Sequence, residues 1–208
     1  MLELRADPNG RGASDAPLFH AAWEGFRPVV EALLEFGADV NKGAADGITP
    51  VLVAAQEGDE PMVRLLVEAR ANPEIARHDG GTPLYVAAYE GHDSVVRTLL
   101  EGGAHPDRQV ADGATALIVA AQGGHDLVLG HLVNARVELD LPAGNGATPL
   151  TMAAQNGHED VVRMLLECGA NRDQCDARGI TPMAMAQAGG HRAICGLLAA
   201  APSRPPRR

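Results

Sequence analysis

Aromatic residues are scarce in this chain of 208 residues, which has one Trp, two Tyr and three Phe. A core of this size ordinarily uses more large rings, so the shortage favours many small, closely stacked elements. Long apolar runs are missing too, since no stretch approaches the roughly 18 apolar residues that a transmembrane helix needs. Residues 1–7 lack the apolar core of a signal peptide. We therefore do not expect a membrane-spanning or exported chain.

Cysteine is equally sparse, with three residues in the chain. A small and odd number argues against a disulfide framework and fits a reducing compartment. The expected location is therefore intracellular and cytoplasmic, with the nucleus as a second possibility.

Positive charge is in deficit, with 17 Lys and Arg against 27 Asp and Glu and a formal net charge of −10. Domains that bind nucleic acids usually carry net positive charge. The one basic cluster is the tail 202–208, whose three arginines leave the rest of the chain at −13. Nucleic-acid binding through this tail is the weakest hypothesis, because salt would abolish it. Neither nucleic acid nor a membrane is the expected partner.

Repetition is what the chain has in abundance, with a period of 33 residues. A glycine recurs at this interval in six copies, and a pair of alanines precedes it in most of them. The glycines are Gly25, Gly58, Gly91, Gly124, Gly157 and Gly190, and the alanine pairs begin at Ala21, Ala54, Ala87, Ala120 and Ala153. A constant register over six copies indicates a repeat protein.

The copy at 79–111 shows how the repeated residues are expected to fold. Thr82 is predicted to cap the N-terminus of a first helix. The small Ala87-Ala88 pair lets neighbouring helices approach closely. Gly91 is predicted to end that helix in the left-handed conformation. The apolar stripe within 95–100 then predicts a second, amphipathic helix.

These motifs together resemble the ankyrin repeats. The residues that carry the resemblance are Asp79-Gly80-Gly81-Thr82-Pro83-Leu84, Ala87-Ala88, Gly91-His92, Val95-Val96, Leu99-Leu100 and Gly103-Ala104. The resemblance implies an all-α solenoid of helix–turn–helix repeats joined by β-hairpin-like loops, here called finger loops. It also implies a non-catalytic module that binds a partner protein in a concave groove.

The expected divisions follow the period. They are the end of a preceding, partial repeat at 1–12, repeats at 13–45, 46–78, 79–111, 112–144 and 145–177, a C-terminal capping repeat at 178–201, and an Arg/Pro tail at 202–208 that we expect to be disordered. Because only half a repeat precedes residue 13, an apolar face is expected to be exposed there. We expect either a longer parent protein or a partner at that face.

Two departures from the family pattern concern the ends of second helices. Arg70 and Arg136 stand where Gly37, Gly103 and Gly169 occur in other copies. Since Gly130 also interrupts a second helix, the fourth repeat is predicted to open locally before the others. The family's histidine after Thr-Pro-Leu is replaced throughout, by Phe19, Leu52, Tyr85, Ile118, Thr151 and Ala184.

Residues that could carry chemistry favour structural roles. His92, His125, His158 and His191 lie one repeat apart, and packed helices about 8–10 Å apart cannot bring such side chains to one zinc ion. We expect each to bond loop backbone instead. Cys168 and Cys195 are predicted to be buried on second helices, with Cys175 exposed in a finger loop. No catalytic, metal or cofactor site and no small-molecule substrate is expected, and Asp46, Asp79 and Asp112 are expected to brace turns.

The expected partner surface follows each alanine pair. It comprises Trp23, Glu24, Gln56, Glu57, Tyr89, Glu90, Gln122, Gln155 and Asn156, which we call the recognition row. Aromatic residues are enriched as anchors at interfaces, and Glu24, Glu57 and Glu90 form a negative ladder. The row therefore favours a basic or amphipathic protein segment lying across the first three repeats. The competing interpretation is a plain solvated acidic face.

Two smaller predictions concern the convex surface and a modification. The pairs Arg64/Glu68, Arg97/Glu101 and Arg163/Glu167 are predicted to interact weakly on the second helices. The family resemblance marks Asn41 as a candidate for hydroxylation, although a structural role in its turn is favoured. An alternative function is a targeting or regulatory domain of a larger enzyme, channel or ligase adaptor.

Overall fold

The computed structural model describes residues 7–10, 16–44 and 46–201. Within these ranges the chain has twelve α-helices and no β-strand. The helices are α1 Pro17–Trp23, α2 Arg27–Glu35, α3 Pro50–Gln56, α4 Glu60–Glu68, α5 Pro83–Glu90, α6 Asp93–Glu101, α7 Ala116–Gly123, α8 Asp126–Asn134, α9 Pro149–Asn156, α10 Glu159–Glu167, α11 Pro182–Ala188 and α12 Arg192–Ala200. The predicted tail 202–208, and most of the predicted partial repeat at 1–12, lie outside the described residues.

The first helix begins at a threonine cap in repeats two to six, as predicted, whereas in repeat one Ala16 stands at this position and makes no side-chain cap. Thr49 Oγ1 accepts a hydrogen bond from the N–H of Leu52 at 3.3 Å, and the same bond recurs in the repeats that follow. In α9 the cap is reciprocal, because Thr151 Oγ1 in turn accepts the N–H of Thr148 at 2.7 Å. Thr151 therefore bonds within its own repeat at the position of the missing family histidine.

The alanine pairs are buried as predicted. Ala54 and Ala55 are at most 1% exposed, and the later pairs are equally covered. Their short side chains allow close packing between first helices of successive repeats, such as α1 with α3, and α9 with both α7 and α11.

The second helices are amphipathic. In α10, Val161, Val162 and Leu165 are at most 1% exposed. On the outer surface, Arg163 Nη2 lies 2.7 Å from Glu159 Oε1, and Arg64 pairs in the same way with Glu60. The predicted partners Glu167 and Glu68 were therefore wrong for these two arginines. A glutamate four residues before a basic residue is the better orientation on a helix.

The finger loops are tight turns closed by backbone hydrogen bonds. The N–H of Arg77 donates to the carbonyl of Gly81 at 3.1 Å, and the matching bond recurs at 44–48, 110–114, 143–147 and 176–180. As predicted, aspartates brace the turns, since Asp79 Oδ1 accepts the N–H of Gly81 at 2.9 Å and Asp112 Oδ1 that of Ala114 at 3.0 Å.

Left-handed residues end the helices. Gly91 has a φ of +82°, as predicted, and its counterparts in the other repeats also have positive φ. Arg70 and Arg136 adopt the same region at +66° and +63°, where a side chain is strained. These two sites therefore cost conformational energy that a glycine would avoid.

Contacts within the chain divide it into two units. The first comprises residues up to Ala87 together with Ser94–His105, and the second comprises Ala88–Asp93 and the residues from Pro106 onward. Each unit is built from paired helices that follow the repeat. Among the described residues, no helix is long and apolar enough to cross a membrane.

Candidate functional site

All nine residues of the recognition row have exposed side chains. In the first unit they are Trp23, Glu24, Gln56 and Glu57, and in the second unit Tyr89, Glu90, Gln122, Gln155 and Asn156. Trp23 is 54% and Tyr89 55% exposed. Aromatic side chains held half in solvent retain much apolar area that a partner can bury.

Trp23 is held in place from beneath. Its ring lies edge-on to that of Phe19, with 5.6 Å between the centroids, and Phe19 is 1% exposed. Phe19 stands where the family pattern has histidine, so an aromatic pair replaces a polar contact at this point. The exposed ring therefore rests on a rigid part of the core.

Histidines fix the backbone of the row in the second unit. The ring Nε2 of His125 lies 3.1 Å from the carbonyl oxygen of Tyr89. His158 and His191 repeat this contact with the carbonyl oxygens of Gln122 and Gln155, at 2.9 and 3.1 Å. These three histidines bond backbone as predicted, but the prediction of loop backbone was wrong, because the acceptor carbonyls lie in the last turns of α5, α7 and α9. The histidine of one repeat thus orients the row residue of the repeat before it.

Two of the three cysteines differ from the prediction. Cys168 is exposed, because it is the residue that caps α10 rather than one on its buried face. Its predicted burial was therefore wrong. Cys195, also predicted to be buried, is only half-buried, whereas Cys175 is exposed as predicted. In the described part of the chain, no group of three or more His, Cys, Asp and Glu residues is arranged to hold a metal ion.

A family model for ankyrin repeats in three copies matches residues 18–110 and again residues 117–205. The chain belongs to the ankyrin repeat family. Its members are generally protein–protein interaction modules and typically non-catalytic. A search of curated proteins found no match. Within this ankyrin array, the exposed row is the surface that follows each buried alanine pair.

A cleft beside Gln155 adds residues that the sequence analysis missed. It encloses about 500 Å³ between α9, α11 and the turns at 145–147 and 176–178. Met152 and Met185 line it, both half-buried. In repeats two to four this position is a buried valine, namely Val53, Val86 and Val119. The change to methionine was the available signal, because methionine suits adaptable binding surfaces.

Arg178 and Asp176 form one wall of this cleft. Arg178 Nη2 lies 2.8 Å from Asp176 Oδ2. The N–H of Ile180 also donates to Asp176 Oδ1 at 2.9 Å. This backbone bond is the main cause of a lowered pKa of Asp176. Arg178 lowers that pKa further, while burial acts in the opposite direction. The carboxylate therefore serves the turn, and its arginine presents a charge to the cleft.

Asn41 belongs to a ladder between finger loops. Its Oδ1 accepts the N–H of Asn72 at 2.8 Å, and its own N–H donates to Asp39. The same link between successive loops is made by Glu74, Asp107 and Asp140. The structural role favoured for Asn41 is thus visible, and its hydroxylation stays a prediction.

Proposed function

We propose that the protein binds a basic, amphipathic segment of a partner protein through the recognition row. The observation that carries this proposal is the half-exposed Trp23 ring, anchored on Phe19 and next to the exposed carboxylate of Glu24. An apolar anchor beside negative charge suits a ligand that presents apolar and basic side chains together.

In the first unit the row offers the carboxylates of Glu24 and Glu57 and the amide of Gln56. All three are exposed, and they follow α1 and α3, which pack against each other. The net charge of −10 adds a long-range attraction for a basic ligand. We propose that lysines or arginines of the partner lie over these carboxylates while an apolar residue covers Trp23.

In the second unit the row changes from acidic to amide side chains. Tyr89 and Glu90 continue the aromatic and acidic pattern, whereas Gln122, Gln155 and Asn156 offer hydrogen bonds without charge. The methionine-lined cleft lies beside Gln155. We propose that this part of the row receives polar and apolar side chains of a partner. If the repeats form part of a larger protein, the same surfaces would serve to target or regulate it, in an intracellular setting.

Tryptophan fluorescence tests the first part of the proposal directly, because Trp23 is the only tryptophan in the chain. The probes are two helical peptides of one apolar pattern, with lysine or glutamate at the polar positions. We expect the lysine peptide to shift the Trp23 emission and the glutamate peptide to leave it unchanged. Equal responses to both peptides, or none to either, would count against the proposal.

A matched pair of variants locates the binding. Glu24→Gln with Glu57→Gln removes the two carboxylates of the row, whereas Glu68→Gln removes an exposed carboxylate on α4. We expect only the first variant to bind the lysine peptide more weakly, by about tenfold at low salt. Wild-type affinity in that variant would move the interface elsewhere. Capture from a source lysate with both proteins then identifies the partner.

A further inference from the structure

Exposed apolar side chains concentrate in the first repeat. Among the described residues, four of the six large ones lie there, namely Trp23, Phe26, Val29 and Phe36. Val29 on α2 is 48% exposed, whereas its counterparts at 33-residue intervals are at most 1% exposed: Met62, Val95, Val128, Val161 and Ile194. The face of α2 that carries Val29 is therefore open, although the same face is covered on every later second helix.

Size complementarity governs how one second helix meets the next. A Cβ added to Gly102 at the end of α6 would lie 2.7 Å from Val67 Cγ1, so Val67 of α4 packs against bare backbone. Repeats one to five have a large apolar residue at the position of Val67, and the sixth has Ala199. Repeats two to six have a small residue at the position of Gly102, and the first has Phe36. At the two ends of the array the sizes are therefore exchanged: the large residue, Phe36, stands at the position that is otherwise small, and the small residue, Ala199, at the position that is otherwise large.

The charges at two positions of the second helices are also exchanged between the two ends of the array. Glu60 Oε1 on α4 accepts a hydrogen bond from Thr98 Oγ1 on α6 at 2.8 Å. That bond is the main cause of a lowered pKa of Glu60; Arg64, the ion-pair partner of Glu60 on the same helix, lowers this pKa further, and the positive charge of Arg97 makes a smaller contribution. Counting by 33 residues, the counterpart of Glu60 in the last repeat is Arg192, and that of Arg97 in the first is Glu31.

A contact between an aromatic ring and a glycine also differs between the two ends of the chain. The imidazole ring of His125 packs against Gly91, so closely that a Cβ built on Gly91 would lie 2.7 Å from the Nδ1 of His125. His158 packs in the same way against Gly124, and His191 against Gly157. The corresponding glycine of the last repeat is Gly190, which has nothing within 4 Å of an added Cβ. The counterpart of His125 in the first repeat is Phe26, an aromatic ring that is 56% exposed. In the last repeat, therefore, no ring covers Gly190, and in the first repeat the ring of Phe26 has no glycine to cover.

We propose that the open face of α2 receives the last repeat, α11 and α12, of a second copy of this chain. Phe36 then packs on Ala199, Glu31 pairs with Arg192, and Phe26 covers Gly190. Repeat one, residues 13–45, has five acidic and two basic residues, whereas residues 178–208 have five arginines and no acidic residue. This charge difference favours contact between opposite ends of two copies over contact between like ends.

The two faces of this contact differ, so the proposed association is head to tail and extends by the addition of further copies. Sedimentation of the full chain over a range from micromolar to millimolar concentration tests it. The average mass should rise with concentration beyond that of a dimer and fall when salt is added. A monomer at every concentration, or a dimer that concentration does not extend, overturns the proposal.

Variants of exposed residues keep the test independent of folding. Phe36→Ser removes the large partner of the size pair, and Leu127→Ser removes another exposed apolar side chain, on α8. We expect about a tenfold weaker association for the first and no change for the second. Unchanged helicity by circular dichroism shows that each variant is folded. If Phe36→Ser and Leu127→Ser associate equally strongly, the proposal that the α2 face forms the contact is overturned.

A charge exchange identifies the pair. Glu31→Arg and Arg192→Glu should each weaken association, because each places like charges together. The double variant has an acidic residue at the position of Glu60 in the last repeat and a basic residue at the position of Arg97 in the first. Its association constant should return to within a few-fold of the wild-type value. A double variant weaker than both single variants overturns the proposed register.

Discussion

The ring Nε2 of His158 lies 2.9 Å from the carbonyl oxygen of Gln122, a residue of the preceding repeat. The same ring covers Gly124, where an added Cβ would lie 2.5 Å from Nδ1. One side chain thus joins two repeats by a hydrogen bond and a close backbone contact, and it does so directly beneath an exposed residue of the recognition row.

Replacement of His158 by alanine should therefore destabilise the array. The change removes the bond to Gln122 and the packing on Gly124, and we expect a loss of about 1–2 kcal/mol in the free energy of unfolding. Urea denaturation measures it. His78→Ala, at an exposed site in a finger loop, should change the stability by less than about 0.5 kcal/mol. Equal effects of the two variants would contradict the structural role of His158.

The fourth repeat should be the easiest to stabilise. Gly130 lies inside α8, and a Cβ added there meets nothing within 4 Å. Gly130→Ala should raise stability by about 1 kcal/mol, because alanine is the better helix former. Hydrogen exchange should show the amides of α8 opening faster than those of α10, and this variant should slow them. Uniform protection of both helices would refute local opening in this repeat.

Backbone strain at Arg136 can be measured against a matched site. Arg136 has a φ of +63°, and Gly169 occupies the equivalent place one repeat later with +89° and open space around an added Cβ. Arg136→Gly should stabilise the protein and Gly169→Ala should destabilise it, each by up to about 1 kcal/mol. Thermal unfolding tests both. The same sign for the two changes would exclude strain as the cause.

Acid should weaken the last finger loop through Asp176. The hydrogen bond from the N–H of Ile180, with help from Arg178, holds the pKa of Asp176 below its ordinary value. A group with a lowered folded-state pKa stabilises the fold above its unfolded pKa, about 3.9 for Asp. That contribution is lost as the pH falls through the folded-state pKa. The stability of Asp176→Asn should therefore fall less steeply with decreasing pH, and parallel pH profiles would rule this out.

Asn41 offers a test that separates structure from modification. Asn41→Ala removes the acceptor for the N–H of Asn72 and should cost about 1 kcal/mol, whereas Asn41→Asp should cost less, because Asp107 and Asp140 make the same link. The intact mass of the protein from its source should show no added oxygen atom if the role is structural only. An added oxygen that peptide fragmentation assigns to Asn41, rather than to an oxidised methionine or cysteine, would establish the hydroxylation.

Much of the fold follows from local sequence. The threonine caps, the buried alanine pairs and the left-handed glycines depend on residues within one repeat, so a period of 33 residues is enough to predict them. The exposure of the recognition row was predictable for the same reason, since each row residue directly follows a buried alanine pair.

Other features depend on contacts between repeats, and only the tertiary structure decided them. Arg64 has a glutamate four residues away on both sides, and it pairs with Glu60, which Thr98 of the next repeat also holds. Cys168 lies at the edge of its helix rather than on the buried face. The sequence by itself determined the repeated helices and their caps through local backbone preferences. The tertiary structure decided which side chains pair and which face of α2 stays open, because those depend on atoms that a neighbouring repeat brings into reach.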